Sequence, residues 1–92
     1  MSYRNLAFHY PKGELRDQFL ERLRRAAEIM KAAPGCIDVE VWKEQTSGAF
    51  VSSARFDSRE SWDSCRRALG IKAEATDMEE RGREIYDLVE PA

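Results

Sequence analysis

The sequence has few of the residues that bind metals or form disulfides. Among its 92 residues are one histidine and two cysteines, and neither cysteine belongs to a C-x-x-C pair or stands beside the histidine. A structural zinc site needs about four Cys, His or carboxylate ligands, so no zinc site is expected. Cys36 and Cys65 are interpreted as reduced, inert thiols.

Several longer signals are missing as well. No run approaches the roughly 18 apolar residues of a membrane-spanning helix, and the first residues do not form a charged-then-apolar signal segment. The net charge is −2, with acidic and basic residues interspersed, which argues against nucleic-acid binding. We therefore expect a cytoplasmic protein without a membrane or nucleic-acid partner. Because no glycine-rich phosphate loop, nucleophile-elbow serine or dinucleotide fingerprint occurs, no bound organic cofactor is indicated.

The composition, with 42% hydrophobic and 35% charged residues, is typical of a globular protein. The length predicts one domain over residues 1–92. A chain of this size buries a modest share of its surface, so a homo-oligomer is a natural source of further burial. Hydrophobic periodicity predicts, in chain order, a strand over 5–10, a helix over 14–33, strands over 36–44 and 49–56, a second helix, and a strand over 84–89.

The helix boundaries are marked by their own signals. An apolar stripe at spacings of three and four runs along the first helix, and Pro34-Gly35 ends it. Asp57, with Glu60 three residues later, resembles a capping box that begins the second helix, and Gly70 closes it. Residues 71–81 are ambiguous between a loop and a helical turn. The order β-α-β-β-α-β predicts a ferredoxin-like α+β fold with both helices on one face of an antiparallel sheet.

Alternation along the strands assigns side chains to the two sheet faces. In strand one, Leu6, Phe8 and Tyr10 are predicted to face the helices. The second face mixes polar and aromatic groups, which suits a partner sheet with a partly polar cavity between. Its predicted members are Asn5, Ala7, His9, Asp38, Glu40, Trp42, Phe50, Ser52, Ala54 and Phe56.

Two stretches carry a family resemblance: A-P-G-C-I-D-V-E-V-W over 33–42 and F-V-S-S-A-R-F-D-S-R-E-S-W over 50–62. With them the chain, from about residue 6 to 89, resembles the antibiotic biosynthesis monooxygenase family of dimeric α/β barrels. The resemblance implies that two protomers pair their sheets into one barrel and that each keeps a pocket between sheet and helices. The family includes cofactor-free quinone-forming oxygenases, haem-degrading enzymes and members of unclear activity.

The resemblance also implies pocket residues. A polar residue on strand three, an aromatic at its end and an aromatic early in helix two match Ser52, Phe56 and Trp62. Cys65 stands where many members have a histidine. Haem-degrading members have an asparagine on strand one, a tryptophan on helix two and a downstream histidine. This chain has Ala7 and Cys65 at the first two positions and no histidine after His9, so haem degradation is not expected.

The candidate chemistry centres on His9, whose ordinary pKa of about 6.5 suits a general base near neutral pH. The alternative is a strand histidine that pairs with a carboxylate. Trp42, Phe56 and Trp62 are either an aromatic cradle for a planar ligand or hydrophobic core. Cys65 is a ligand contact, a nucleophile or a buried thiol. One of Asp38 and Glu40 acts as an acid or base in a closed cavity, or, alternatively, both pair with Arg or Lys across a dimer seam or keep an exposed stretch soluble.

These observations lead to two hypotheses. The first is a cofactor-independent monooxygenase that deprotonates a small planar phenolic or polyketide-like substrate, with His9 as the base and Ser52 as a hydrogen-bond partner. The second is a non-catalytic small-molecule-binding or stress-related dimer. An isomerase or cyclase that uses the same base also remains open.

Overall fold

The computed structural model describes residues 2–72 and 74–91, and within them the chain forms four strands, two α-helices and one 3-10 turn. The strands and α-helices follow one another in the predicted order β-α-β-β-α-β. Their bounds are β1 Tyr3–His9, the 3-10 turn Gly13–Leu15, α1 Arg16–Lys31, β2 Cys36–Lys43, β3 Phe50–Phe56, α2 Arg59–Leu69 and β4 Glu84–Val89.

The four strands form one antiparallel sheet in the order β2-β3-β1-β4. Because β1 and β3 are central and both helices cover one face, the chain is a ferredoxin-like α+β fold, which confirms the predicted class. The predicted bounds of β4 are also confirmed.

The helix ends refine the sequence prediction. A 3-10 turn precedes α1, so the regular helix begins two residues later than predicted, at Arg16. The N-cap of α2 is Ser58, whose hydroxyl accepts a hydrogen bond from the Ser61 amide at 3.1 Å; the capping box predicted at Asp57 is wrong. Gly70 closes α2 in the left-handed conformation, as predicted. Residues 71–83 contain no further helix or strand among those described, and position 73 lies outside them.

The hydrophobic core lies between the sheet and the two helices. Phe56 is fully buried, and its ring packs against Trp62 with centroids 5.5 Å apart. The core cluster is completed by apolar side chains from β1, β2, β3 and both helices: Tyr3, Ala27, Met30, Val39, Ala54 and Cys65. The first helix and strand β2 are thereby held together along one side of the sheet.

The face predicted for β1 is wrong. Tyr3, Asn5, Ala7 and His9 are buried on the helix side, while Leu6 and the other even-numbered residues of β1 lie on the opposite face. The register pairs His9 with Phe50, Ala7 with Ser52, Asn5 with Ala54 and Tyr3 with Phe56, so these β3 residues face the helices too. The error arose because Leu6 and Phe8 are more apolar than Asn5 and His9, whose Nδ2 and Nε2 atoms nevertheless have hydrogen-bond partners, Asp87 and Ser52, on the helix side.

The opposite face of the sheet is not covered by either helix. Phe8 and Tyr86 pack edge to face on it, with ring centroids 6.0 Å apart. The register places the following side chains together on this open sheet face: Arg4, Leu6, Phe8, Asp38, Glu40, Trp42, Val51, Ser53, Arg55, Glu84, Tyr86 and Leu88. The prediction that Asp38, Glu40 and Trp42 share a face is consistent with this register.

Within residues 2–72 and 74–91, no helix has both the length and the apolar composition that crossing a bilayer requires.

Candidate functional site

A buried histidine and a half-buried serine are in contact on the helix side of the sheet. His9 ends β1, and its Nε2 is 3.0 Å from the Oγ of Ser52 on the neighbouring strand β3. The His9 ring also packs against Phe19 of α1, with centroids 5.5 Å apart. The two candidate catalytic residues predicted from sequence are therefore in direct contact, although His9 faces the helices and not, as predicted, away from them.

The other imidazole nitrogen faces a carboxylate that sequence reasoning did not select. Oε1 of Glu79 lies 3.4 Å from His9 Nδ1, and the Glu79 side chain is 0% exposed. Nδ1 itself is buried and makes no hydrogen bond among the described residues. The distance is thus longer than that of a well-aligned hydrogen bond, and the Glu79 carboxylate is the polar group that faces this nitrogen.

Backbone contacts hold Glu79 at this place. Pro11 and Glu79 form an isolated antiparallel bridge just beyond β1. The Lys12 amide donates to the Met78 carbonyl, and the Glu80 amide donates to the Tyr10 carbonyl, each at 2.8 Å. The segment that the sequence leaves ambiguous is therefore docked against the end of the strand that carries His9.

The Glu79 carboxylate also accepts hydrogen bonds from groups other than His9. Arg83 donates to it from Nε at 2.8 Å and from Nη2 at 2.9 Å, the two-pronged arrangement that suits guanidinium and carboxylate. The Thr76 amide and hydroxyl donate to Oε2 at 2.6 and 3.0 Å. These four donors compensate the burial of a charge that would otherwise be costly.

The same surroundings set the protonation states. Burial and, next, the positive charge of Arg83 lower the pKa of His9 from 6.5 to about 4, against the opposing effect of Glu79. Burial works to raise the pKa of Glu79, but the hydrogen bonds from Arg83 and Thr76 outweigh it and the pKa is lowered. At neutral pH the site therefore holds a neutral imidazole beside an ionised carboxylate.

A small apolar floor adjoins the His9–Ser52 pair. The register aligns Ser52, Ala7 and Ile85 across β3, β1 and β4 on the helix-facing side. Ile85 keeps 40% of its surface exposed, so the helices do not cover this side of the sheet completely.

A second polar cluster lies one row further along the same face. The Tyr3 hydroxyl donates to Asp87 Oδ1, and the Asn5 side-chain amide donates to the same oxygen at 3.3 Å. Arg59 of α2 donates to the other Asp87 oxygen at 3.2 Å. Burial and, next, the hydrogen bond to Asp87 raise the pKa of Tyr3 to about 12, so this phenol keeps its proton at neutral pH and is not a ready base.

Three of the predicted ligand contacts lie in the core. Phe56, Trp62 and Cys65 belong to the cluster packed beneath the helices, around Tyr3. Burial raises the pKa of the Cys65 thiol, which disfavours the thiolate. The arrangement of Phe56 and Trp62 is that of a packed aromatic pair, and their role as ligand contacts stays a prediction.

Trp42 is separated from the other predicted site residues. It lies on the open sheet face of the edge strand β2 and is 60% exposed, whereas Ser52 and His9 lie on the helix side. A cradle that combines Trp42 with Phe56 and Trp62 is therefore not formed within one chain. Asp38 shares the open face and has Arg4 as a neighbour at 3.6 Å.

Two surface depressions lie apart from the His9–Ser52 pair. The larger, about 400 Å³, runs along the helices and is lined by Ile29, Ala32, Ala33, Pro34, Ser61, Ser64, Cys65, Ala68 and Leu69. The other, about 260 Å³, lies between α1 and β2 and is lined by Arg24, Ala27, Glu28, Lys31, Val39 and Val41. Cys65 is thus the one predicted site residue that borders either of them.

Glu79 and Arg83 are the site residues that the sequence analysis missed. Their spacing of four residues is a recognisable ion-pair pattern, but it lies in a segment without clear periodicity. Nothing in the local sequence indicates that this segment returns to His9. As for metals, within residues 2–72 and 74–91 no group of three or more His, Cys, Asp or Glu side chains is placed to bind an ion.

Comparison with known proteins gives a consistent result. The family model of the antibiotic biosynthesis monooxygenases matches residues 2–75. Among curated proteins, none matches the chain. The family match ends before Thr76, Glu79 and Arg83, so these three residues lie outside the part of the chain that it covers.

Solved structures share the fold at low sequence identity. Rv0793 from Mycobacterium tuberculosis has a TM-score of 0.87 at 19% identity, over 100% of this chain and 97% of that one. A conserved protein from Methanosarcina mazei Go1 has a TM-score of 0.80 at 18% identity, over 96% and 91%. A MhuD mutant with two manganese protoporphyrin IX molecules bound per active site has a TM-score of 0.75 at 10% identity, over 95% and 92%.

At these identities the structural likeness establishes the fold, and the family model, which spans most of the chain, establishes the kinship. The chain therefore belongs to the antibiotic biosynthesis monooxygenase family.

Proposed function

We propose that this protein is a cofactor-independent monooxygenase that oxidises a small planar phenolic or polyketide-like substrate. The observation that carries the proposal is the part-buried His9–Ser52 contact at 3.0 Å, on the same sheet face as Ile85, which keeps 40% of its surface exposed. Family membership supports an oxygenase. The manganese porphyrin bound by the MhuD mutant supports a planar aromatic ligand in this fold.

His9 acts as the general base in this reaction. It is neutral at pH 7, so its Nε2 lone pair takes a proton from an acidic C–H or O–H group of the substrate, although the lowered pKa makes it a weaker base than an ordinary histidine. Ser52 bonds to the same ring nitrogen and relays or orients that proton. Its oxygen lone pairs then accept a hydrogen bond from the substrate hydroxyl.

The resulting substrate anion supplies the electrons for dioxygen. A C–O bond forms between the electron-rich carbon and O2, and the peroxide anion recovers the proton from His9. The hydroperoxide then loses water as the O–O bond breaks and the second C–H proton leaves. A CH2 group becomes C=O, one oxygen atom stays in the product and the other leaves as water, so the four electrons lost by carbon reduce O2.

Homodimer formation completes the proposal. The open sheet face carries Leu6, Phe8, Trp42, Val51, Tyr86 and Leu88. Apolar side chains grouped on one uncovered face are typical of an interaction surface, and a two-fold dimer that pairs two such faces buries them. The cytoplasmic location stays a prediction from the sequence.

The test is dioxygen uptake by metal-free protein offered anthrones, hydroquinones and catechols, with no cofactor added. Uptake above the protein-free rate is expected, with a drop of about 100-fold or more in His9→Gln, since a positioned base contributes about 10²–10⁴. Ser52→Ala is expected to show a smaller loss. Glu21→Gln, an exposed change on α1, is the matched control. Equal rates in wild type and His9→Gln would contradict the assignment of His9.

A ligand-binding protein without turnover is the second candidate. The observation that favours it is the environment of His9, in which burial and, next, the charge of Arg83 lower the pKa of the imidazole and so weaken its pull on a substrate proton. Quenching of tryptophan fluorescence by a catechol or anthrone, with no dioxygen consumed across the panel, would support this candidate over the oxygenase.

A further inference from the structure

We propose that Glu79 is the positioning residue of the site: it fixes the His9 imidazole in the tautomer that carries its proton on Nδ1. Nothing in the family match assigns this residue, because that match ends at residue 75. The tautomer is inferred from contacts within this chain. Its consequence for turnover rests on the proposed function.

The tautomer follows from the hydrogen-bonding capacity of the two neighbours of the ring. A carboxylate is an acceptor only, whereas a serine hydroxyl both donates and accepts. With the proton on Nδ1, the imidazole presents N–H to Glu79 Oε1 at 3.4 Å and accepts from the Ser52 hydroxyl at Nε2. With the proton on Nε2, the Nδ1 lone pair would face a buried, ionised oxygen, which is repulsive at low local dielectric.

Glu79 is itself held in place. Arg83 and Thr76 supply four donors to its two oxygens, and the bridge to Pro11 anchors its backbone. The charged groups that act on His9 are Glu79 and Arg83, both from this segment, while α1 contributes Phe19 and β3 contributes Ser52. Rotation of the carboxylate away from His9 would therefore break several bonds at once.

This tautomer is the one that a base at Nε2 needs. Only with Nδ1 protonated is the Nε2 lone pair available to draw the hydroxyl proton of Ser52, or a substrate proton passed through it. The arrangement has the same roles as a serine–histidine–acid constellation, in which the acid holds the ring in its working tautomer. Ser52 lies within a strand that is paired on both sides, so its backbone amide is not free to form an oxyanion hole for acyl transfer.

The single histidine makes a direct test possible. In untagged, uniformly 15N-labelled protein at pH 7, the long-range imidazole correlation spectrum contains the signals of His9 alone. We expect Nδ1 at the position of a protonated nitrogen and Nε2 at that of an unprotonated one. The reverse assignment in the wild type would overturn the proposal, without any need for a variant or a substrate.

Two variants then test the cause. In Glu79→Gln the side-chain amide can donate to Nδ1, so we expect the major tautomer to change to Nε2–H. Glu44→Gln, at a carboxylate in the β2–β3 turn that accepts from Thr46 and Ser47, is expected to leave the spectrum unchanged. An unchanged tautomer in folded Glu79→Gln would show that Glu79 does not set it. Should Glu79→Gln not fold, Thr76→Val, which removes one donor to the carboxylate, is expected to add signal from the Nε2–H form, and its absence would count against the proposal.

Turnover provides the second readout. On a substrate found by dioxygen uptake, Glu79→Gln is expected to lower kcat by about 100-fold or more, since a positioned base contributes about 10²–10⁴, with little change in KM. If this variant had the reversed tautomer and full activity, Glu79 would still set the tautomer, but the tautomer would not matter for turnover. Lack of uptake by the wild type would refute the oxygenase and leave the spectroscopic result standing, so the two failures are distinguishable.

Discussion

Glu79 and His9 meet across the fold: the carboxylate Oε1 lies 3.4 Å from the imidazole Nδ1, and both side chains are almost completely buried. The contact joins the segment after α2 to the last residue of β1. It brings the neutral His9 imidazole, the ionised Glu79 carboxylate and the Arg83 guanidinium into one connected group. The stability of the fold in acid and the proposed chemistry both depend on this group.

The first prediction concerns stability in mild acid. The pKa of His9 falls from 6.5 in the unfolded chain to about 4 in the fold, so the unfolded state binds more protons between these values. The free energy of unfolding is therefore highest above pH 6.5 and decreases as the pH falls to about 4. The expected loss is about 3 kcal/mol, and urea unfolding at successive pH values measures it.

Variants separate the two groups that contribute. His9→Gln should flatten the pH dependence between about 6.5 and 4.5. The further loss below about 4.5 should remain, because the pKa of Glu79 is also lowered in the fold and its stabilising effect disappears as the carboxylate is protonated. Glu21→Gln is expected to follow the wild type. A His9→Gln profile as steep as that of the wild type above pH 4.5 would contradict the burial of a neutral His9.

The second prediction concerns two glycines with positive φ. Gly35, at φ +83°, has Ser61 Oγ and Asp57 Oδ1 at 2.5 and 2.8 Å from where a Cβ would be, while Gly70, at φ +64°, has nothing within 4 Å. Gly70→Ala is therefore expected to cost about 1–2 kcal/mol from backbone strain alone. Gly35→Ala should cost clearly more, because the crowding is added to the strain.

Urea unfolding of the two alanine variants gives the comparison. Gly13→Ala, at a glycine with open space around it and no positive φ, is the control and is expected to be within about 0.5 kcal/mol of the wild type. Equal losses for Gly35→Ala and Gly70→Ala would mean that the loop at Gly35 moves away from Ser61 and that the close approach is not a constraint.

The sequence was sufficient for the order of the elements because each has its own local signal. The apolar stripe of α1, the Pro34-Gly35 break and the alternation in β4 depend on neighbours in the chain, and they predicted the ferredoxin-like class that the structure shows. His9 was selected on chemical grounds and Ser52 through the family resemblance, and their contact follows from the register of β1 with β3.

Sequence alone was not sufficient for the sheet faces or for Glu79. Period-two alternation states which residues share a face but not which face the helices cover. In β1 the more apolar set, Leu6 and Phe8, lies on the open face, because the buried set of Asn5 and His9 is stabilised by partners distant in sequence. Glu79 is such a partner. Its position depends on the backbone hydrogen bonds that its two neighbours in the chain form with Tyr10 and Lys12, and no local sequence pattern predicts these bonds.

The third prediction tests whether Trp62 is a core residue. It is 7% exposed and packs on the fully buried Phe56, so Trp62→Ala is expected to lower the free energy of unfolding by about 3–5 kcal/mol. Leu69→Ala, at a more exposed apolar position of the same helix, should cost less than about 1 kcal/mol. A fully stable Trp62→Ala variant that has lost ligand binding would instead assign Trp62 to a ligand cradle.

The last prediction concerns the open sheet face. A charge placed on a paired apolar surface is costly to bury, so Trp42→Glu is expected to shift the protein from dimer to monomer in light scattering at micromolar concentration. Ile29→Glu is the matched control, since Ile29 is similarly exposed, at 53% against 60%, but lies on α1 beside the groove along the helices. That variant is expected to remain dimeric. A monomeric wild type would refute the proposed dimer, and dissociation by Ile29→Glu but not by Trp42→Glu would place the interface on the helices instead of the sheet.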